Sequence, residues 1–363
     1  MRKIYFTVTN DLTYDQRMHR ICSSLSGNGF DVVLVGRNRP GSRPLTERMY
    51  QQKRLTCLFH KGFLFYLEYN IRLFFFLLFK RVDIACAIDL DTILPVLIIS
   101  WIKGCSRVYD AHEYFTELKE VRTRKKVRAV WHMIERVAVP RFSNGYTVSR
   151  GLADAFKQNY GRDYVVIRNL PVLRELVPSQ RKSFLVYQGA VNEGRAFEYL
   201  IPAMQWVPWK LIVCGDGNYM PKLKSQIQEL GLETKIELKG MMLPEDLFTV
   251  AQQASIGIGL AEKEGINQFF ALPNKFLEYM HAGLPQITMA YPEYQIINDE
   301  FEVAVLLENL DPENIAKAIN QLIADPGRQE RLHLNALKAR EHFCWQKEEH
   351  ALLAFYKNLS NHD

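Results

Sequence analysis

The sequence predicts an α/β protein made of two doubly wound, parallel-sheet domains. Three observations lead there. Short β-branched runs alternate with helix-patterned stretches along the 363 residues, which is the rhythm of βαβ units. Near residue 169 the rhythm breaks into an aperiodic stretch with two prolines, 169–183, and then restarts. At about 150 residues per domain, the length suits two domains, and 48% hydrophobic with 24% charged residues is the balance of a globular chain with a large core.

The first series opens with the strand "KIYFTV", a helix over 15–27 and the strand "DVVLVGR". "DIACAI", "RVYDAH", "GYTVS" and "YVVIRN" follow at helix-separated intervals. The second series runs "SFLVYQGA", a helix from Arg195, "KLIVCGDG", a helix over 220–230, "KIELKG", a helix near 244–253 and "SIGIGL". The helix in "LPNKFLEYMHAGLP", the strands "QITMA" and "VAVLLEN", helices over 311–324 and 326–341, and an amphipathic segment from Trp345 complete it. The expected domains are 1–170, a linker at 171–182, and 183–344, with a helix over 345–363 crossing back to the first domain. Ligands of doubly wound sheets sit at the carboxyl ends of the strands, so two such sheets place the site in the cleft between them.

Charge divides unevenly. Residues 1–180 hold 29 Lys and Arg against 16 Asp and Glu, and the remaining residues hold 17 against 24. A half carrying +13 suits an anionic partner such as a membrane face or nucleic acid. Nucleic acid is not expected, because the basic run "VRTRKKVR" at 121–128 has no recognition module around it; the run suits anionic lipid. The aromatic segment at 62–81 is interrupted by Glu68 and Arg72, and the apolar segment at 92–102 contains Pro95. Each is too short to span a bilayer, which takes about 20 apolar residues. Two readings stay open: a pair of core helices, or a first helix lying on the membrane surface, with Phe63, Phe74 and Leu78 as apolar anchors. Six cysteines without a Cys-x-x-Cys pair, and a start that enters a strand directly, suggest reduced thiols and a cytoplasmic protein.

Chemistry is expected at three strand-to-helix turns of the second domain. "YQGAVNEGR" puts Gly189 at a strand end and Arg195 at a helix start, and "VCGDGN" puts Gly215 and Gly217 at another. The third turn, Leu272-Pro273-Asn274, leads into a helix carrying Lys275 and Glu278. Helix N-termini offer free amides and a positive dipole end to phosphate, glycines allow close approach, and Arg and Lys add full charge. Glu278 suits the two hydroxyls of a ribose. Metal chemistry is not expected: Asp89 of "DLD" reads as a helix cap, and His112 and Glu113 lack a second histidine at ligand spacing.

Taken together, "LPNKFLEYMHAGLP", "YQGAVNEGR", "VCGDG", "TNDLTYDQRMHRI", "DLDTILP", "YDAHEYFTE" and "TVSRGLADAF" resemble a bacterial branch of the family 4 glycosyltransferases of the GT-B fold. The resemblance covers nearly the whole chain. It implies a retaining transferase that takes a UDP- or GDP-linked sugar as substrate and needs no cofactor or metal. It implies that Glu278 grips the ribose, that Arg195 and Lys275 meet the diphosphate, and that His112 approaches the donor sugar. The acceptor it suggests is a polyprenyl-diphosphate-linked sugar in surface polysaccharide assembly, reached from the inner face of the cell membrane. Two departures stand out. The family's first acidic residue, with seven residues between it and Glu278, is Phe270 here, and an arginine usual after the strand-end glycine is Ala190. A nucleotide-sugar epimerase of the same fold and a non-catalytic sugar-nucleotide-binding subunit remain as alternatives.

Overall fold

The computed structural model describes residues 1–13, 15–177 and 179–359. Pro178 of the expected linker and positions 360–363 of the expected final segment lie outside the described residues. The chain divides into two compact units, residues 1–169 together with those from 347 onward, and residues 170–346.

The first unit runs β1 (Lys3–Thr7), α1 (Gln16–Gly27), β2 (Asp31–Asn38), β3 (Gln51–Thr56), α2 (Gly62–Leu78), β4 (Ile84–Ile88), α3 (Ile93–Lys103), β5 (Ser106–Ala111), α4 (Lys119–Arg122), α5 (Lys125–Ala138), β6 (Gly145–Thr147), α6 (Arg150–Tyr160) and β7 (Val165–Val166). Its seven strands are parallel in the order β3-β2-β1-β4-β5-β6-β7. The β4 strand is buried along its whole length, as expected of a strand covered on both faces. The polar strand β3 is not anticipated by the sequence pattern; it is the sheet edge and buries only Leu55 fully.

The second unit runs β8 (Phe184–Gln188), α7 (Phe197–Ala203), β9 (Lys210–Cys214), α8 (Met220–Glu229), β10 (Ile236–Gly240), α9 (Pro244–Gln253), β11 (Ile256–Gly259), α10 (Gly265–Phe270), α11 (Asn274–His281), β12 (Gln286–Met289), α12 (Pro292–Phe301), β13 (Ala304–Leu307), α13 (Pro312–Ile323) and α14 (Pro326–His342). Its six parallel strands follow the order β10-β9-β8-β11-β12-β13. In each sheet the strand order reverses beside the first strand of that unit. Ligands of such sheets lie beyond the carboxyl ends at the reversal, so the loops after β1 and β4, and after β8 and β11, mark where to look.

The last helix, α15 (Trp345–Asn358), begins in the second unit, where the Trp345 amide donates to Pro171 O at 2.8 Å, and ends in the first. There Tyr356 is fully buried, with its ring 5.8 Å from that of Phe6, and Arg2 donates to Leu359 O at 2.8 Å. All six cysteines are buried and free.

The helix over 62–78 does not pack wholly in the core. It buries a single stripe, Phe65, Tyr69, Leu73 and Leu77, at the i, i+4 spacing of one helical face. Phe63, Leu64, Leu67, Ile71, Phe75 and, just beyond it, Phe79 are exposed, whereas Phe74 and Leu78 are half-buried. Helix α3 packs against both α2 and α5 and leaves Ile98, Trp101 and Ile102 exposed. Val130, Met133 and Val137 of α5 are exposed as well. Among the described residues, no helix is long and apolar enough to cross a membrane.

Candidate functional site

In the second unit the site is built on α11. Pro273 is extended (φ −73°, ψ 148°) and no side chain caps the helix, while the Phe276 amide donates to Pro273 O at 3.1 Å. Phe276, Leu277, Tyr279 and Met280 face the core, and Gly283, at φ 66°, ends the helix against α14, where a Cβ would strike His333 and Leu337. The Tyr279 hydroxyl donates to Val186 O at 3.1 Å and accepts the Gln188 amide at 3.0 Å. That clamp on β8 sets the rotation of the helix and brings Glu278 to the strand end, where Gln188 Nε2 donates to Glu278 Oε2.

Lys275 lies one residue into the helix. Its Nζ sits 3.7 Å from the centre of the Tyr187 ring, shielded from water and without a hydrogen-bond partner among the described residues, although the stem is partly exposed. Burial first, and then repulsion from Arg195, push its pKa well below the usual lysine range; Glu278 opposes the shift. Two cations are therefore held close with one carboxylate nearby, an arrangement that an incoming anion would relieve.

Arg195 does not start a helix. The chain turns through Gly194 (φ 81°) and Ala196, a left-handed residue at φ 58°, and α7 begins at Phe197. Side-chain burial decides this, since Ala196, Phe197, Leu200 and Ile201 are completely buried. The three glycines differ in what they face. A Cβ on Gly215 would fall 1.8 Å from Gly189 O, and one on Gly217 would fall 2.3 Å from Val191 O. These two permit one loop to lie on the other, joined by Gly189 N–H to Cys214 O at 2.9 Å and Val191 N–H to Asp216 O at 3.0 Å. A Cβ on Gly189 would meet only Lys275 Cε, at 3.9 Å, so this glycine leaves space beside the lysine. Leu272 is buried and Asn274 is exposed at the helix start. Phe270, half-buried, ends the short helix α10 with its ring against Phe269.

In the first unit, the ends of β1, β4 and β5 surround a cavity of about 410 Å³. Asp89 does not cap the turn after β4. Held at φ 55°, it turns its carboxylate to His112 Nδ1 at 2.9 Å, an ion pair rather than an aligned hydrogen bond. Burial disfavours the charged ring, but Asp89 outweighs it and lifts the His112 pKa to about 10. At neutral pH the ring is an imidazolium, which donates hydrogen bonds and cannot accept a proton. Burial, then the Asp89 charge, raises the Asp91 pKa to about 7, and Thr9 donates to its carboxylate. Asp110, two residues before His112, is fully buried and paired with Arg17 at 2.7 Å. Asp89, His112 and Glu113 also offer ligand atoms within 4.8 Å of one another, a juxtaposition that the spacing of 89 and 112 in the sequence conceals.

Residues 173–339 match the family described as Glycosyl transferases group 1. Two curated relatives are similar over part of the chain. An exopolysaccharide phosphotransferase of Streptomyces coelicolor is 32% identical over 32% of this chain and 12% of its own length. A D-inositol 3-phosphate glycosyltransferase of Corynebacterium urealyticum is 23% identical over 42% of this chain and 36% of its own. The chain thus spans about a third of the second and far less of the first. Among solved structures, a sucrose-phosphate synthase from Thermosynechococcus elongatus superposes with a TM-score of 0.83 at 15% identity, over 98% of both chains. Anabaena HepE in complex with UDP-glucose superposes at 0.80 with 17% identity, over 99% of this chain and 100% of that one. The architecture is therefore GT-B, two Rossmann-like units with a C-terminal helix, and the match to glycosyl transferases group 1 falls within the second unit.

Proposed function

We propose that the chain is a retaining glycosyltransferase that moves a sugar from a nucleotide diphosphate to an acceptor hydroxyl. The observation that carries the reading is the grouping of Lys275, Arg195 and the uncapped start of α11 beside Glu278. The positive end of the helix dipole and two cations suit a diphosphate, and Glu278, oriented by Gln188, suits the ribose diol. As the sugar bond breaks, negative charge grows on the departing diphosphate, and fixed donors that need no rearrangement lower the barrier. The family resemblance gives the imidazolium of His112 the role of a hydrogen-bond donor toward the sugar. Retention follows the family resemblance and is read from the anomeric configuration of the product. UDP in the complex with HepE favours a uridine donor here.

Glu278→Ala should weaken UDP binding by about 1.5–3 kcal/mol, the value of hydrogen bonds to a charged group. Calorimetric titration of parent and variant checks this; equal affinities with both proteins folded would remove Glu278 from the ribose. Phe270 supports a second reading, a subunit that binds the sugar nucleotide without using it, since an aromatic ring stands where the family has its first acidic residue. Slow release of free sugar from the donor by the parent protein would exclude that reading.

We assign the acceptor to a lipid-linked sugar at an anionic membrane surface. The exposed apolar residues of α2, α3 and α5 adjoin Lys80, Arg81, Lys125 and Lys126, which are also exposed. Each Lys or Arg near an anionic leaflet contributes about 1 kcal/mol, and the exposed rings add apolar burial. Co-sedimentation with vesicles should rise with the anionic lipid fraction and fall with added salt. Indifference to anionic vesicles at low salt would remove the membrane and leave the transferase.

A further inference from the structure

We infer that the cavity of the first unit binds its acceptor through an anionic phosphate group, anchored by Arg37 of β2 and the start of α2. The inference rests on the transferase reading above and names the chemical class of its acceptor. Arg37, next to the last residue of β2, lines the cavity while being only 8% exposed. Its guanidinium stacks on the Phe65 ring, 3.9 Å from the centre, and one nitrogen donates to His60 O at 2.8 Å. Its Nε has no partner, and among the described residues no carboxylate pairs with it. Burying a guanidinium without a counter-ion is costly, and the neighbouring charge is another cation, Arg39.

The second observation is independent of the first. Helix α2, 17 residues long, points its N-terminus into the same cavity through Lys61 and Gly62, and no side chain caps it. An unpaired buried arginine, a free set of amides and the ammonium of Lys61 converge on one place, and their shared partner is a phosphate oxygen. Asp89, Asp91 and Glu113 also line the cavity, and none of them pairs with Arg37. Strand β1 separates β2 from β4, so Arg37 and Asp89 stand two strand spacings apart, roughly 10 Å. Asp89 is occupied by His112. The cavity is thus bipolar: one end holds phosphate, the other receives the hydroxyl-bearing end of the acceptor.

The test uses the full chain saturated with UDP and two probes. In one arm glucose 1-phosphate is titrated; in the other, phosphatidylcholine vesicles with and without a polyprenyl diphosphate are co-sedimented. Arg37→Gln should lower affinity about tenfold or more in at least one arm, the scale of a lost charge-assisted contact. Lys61→Gln, at an exposed position, should act in the same direction and keeps the test open if Arg37→Gln misfolds. A loss confined to the first arm identifies a soluble sugar phosphate as the source, and a loss confined to the second identifies the lipid. Equal binding by parent and variants in both arms, or no binding by the parent in either, overturns the proposal. The preceding UDP titration reports separately on the donor site, so failure of that reading is seen on its own.

Discussion

Replacing Lys275 with methionine should leave the unliganded protein at least as stable as the parent while lowering its affinity for UDP tenfold or more. Two effects with opposite signs underlie this. In the free protein the Lys275 ammonium is shielded from water, faces Arg195 and lacks a hydrogen-bond partner. Its folded pKa lies below the unfolded one, so the unfolded chain binds the proton more readily and stability is lost as pH falls through that window. At neutral pH an apolar side chain of similar length escapes the penalty. With the diphosphate bound, the same ammonium finds its counter-ion and its pKa rises. A methionine variant that loses stability and keeps UDP affinity would show that Lys275 is a packing residue.

His112→Ala should reduce sugar transfer by about 10²–10³, the scale on which removing one fixed donor acts, with UDP affinity within twofold of the parent. His112→Gln, which keeps a neutral donor, should recover part of the loss. A histidine that served only to brace the fold would lower thermal stability and leave turnover alone. Stability offers a further check with a definite sign. The folded pKa of about 10 lies above the ordinary 6.5, so the pair with Asp89 stabilises the protein fully below pH 6.5 and loses its effect as pH rises toward 10. The alanine variant should lack that part of the alkaline decline. Unchanged transfer by a folded variant would remove His112 from the reaction.

Most of the strands were legible because buried parallel strands write themselves as β-branched runs, whereas their order within each sheet was not. Strand β3 was not, since its edge position lets "QQKRLT" stay polar. Helix α5 lay hidden under the cationic run that opens it, and its apolar side chains are partly exposed, which blurs the period. At the candidate site, Lys275 and Glu278 follow a proline turn into a helix, which is a local signal. Gln188 beside Glu278 and Tyr187 beneath Lys275 are brought there by a strand almost 90 residues earlier, and nothing local announces them. Arg195 was legible as a cation but not its setting, because a buried alanine in the left-handed region overrides the expected helix start. Arg37 reads in sequence as the polar end of a strand; only its burial without an acid distinguishes it.

The return of α15 to the first unit also orders events at the ribosome. The strands of that unit precede the second unit, yet a side chain that closes its core, Tyr356 against Phe6, is made after it. Hydrogen bonds from Arg2 to Tyr356 and Leu359 tie the start of β1 to the end of α15. The second unit, contiguous from 170 to 346, has all its strands before that happens and can condense while the first waits with a groove open along β1. For part of synthesis the nascent chain therefore exposes an apolar seam on its oldest segment, a natural point of engagement for holding chaperones.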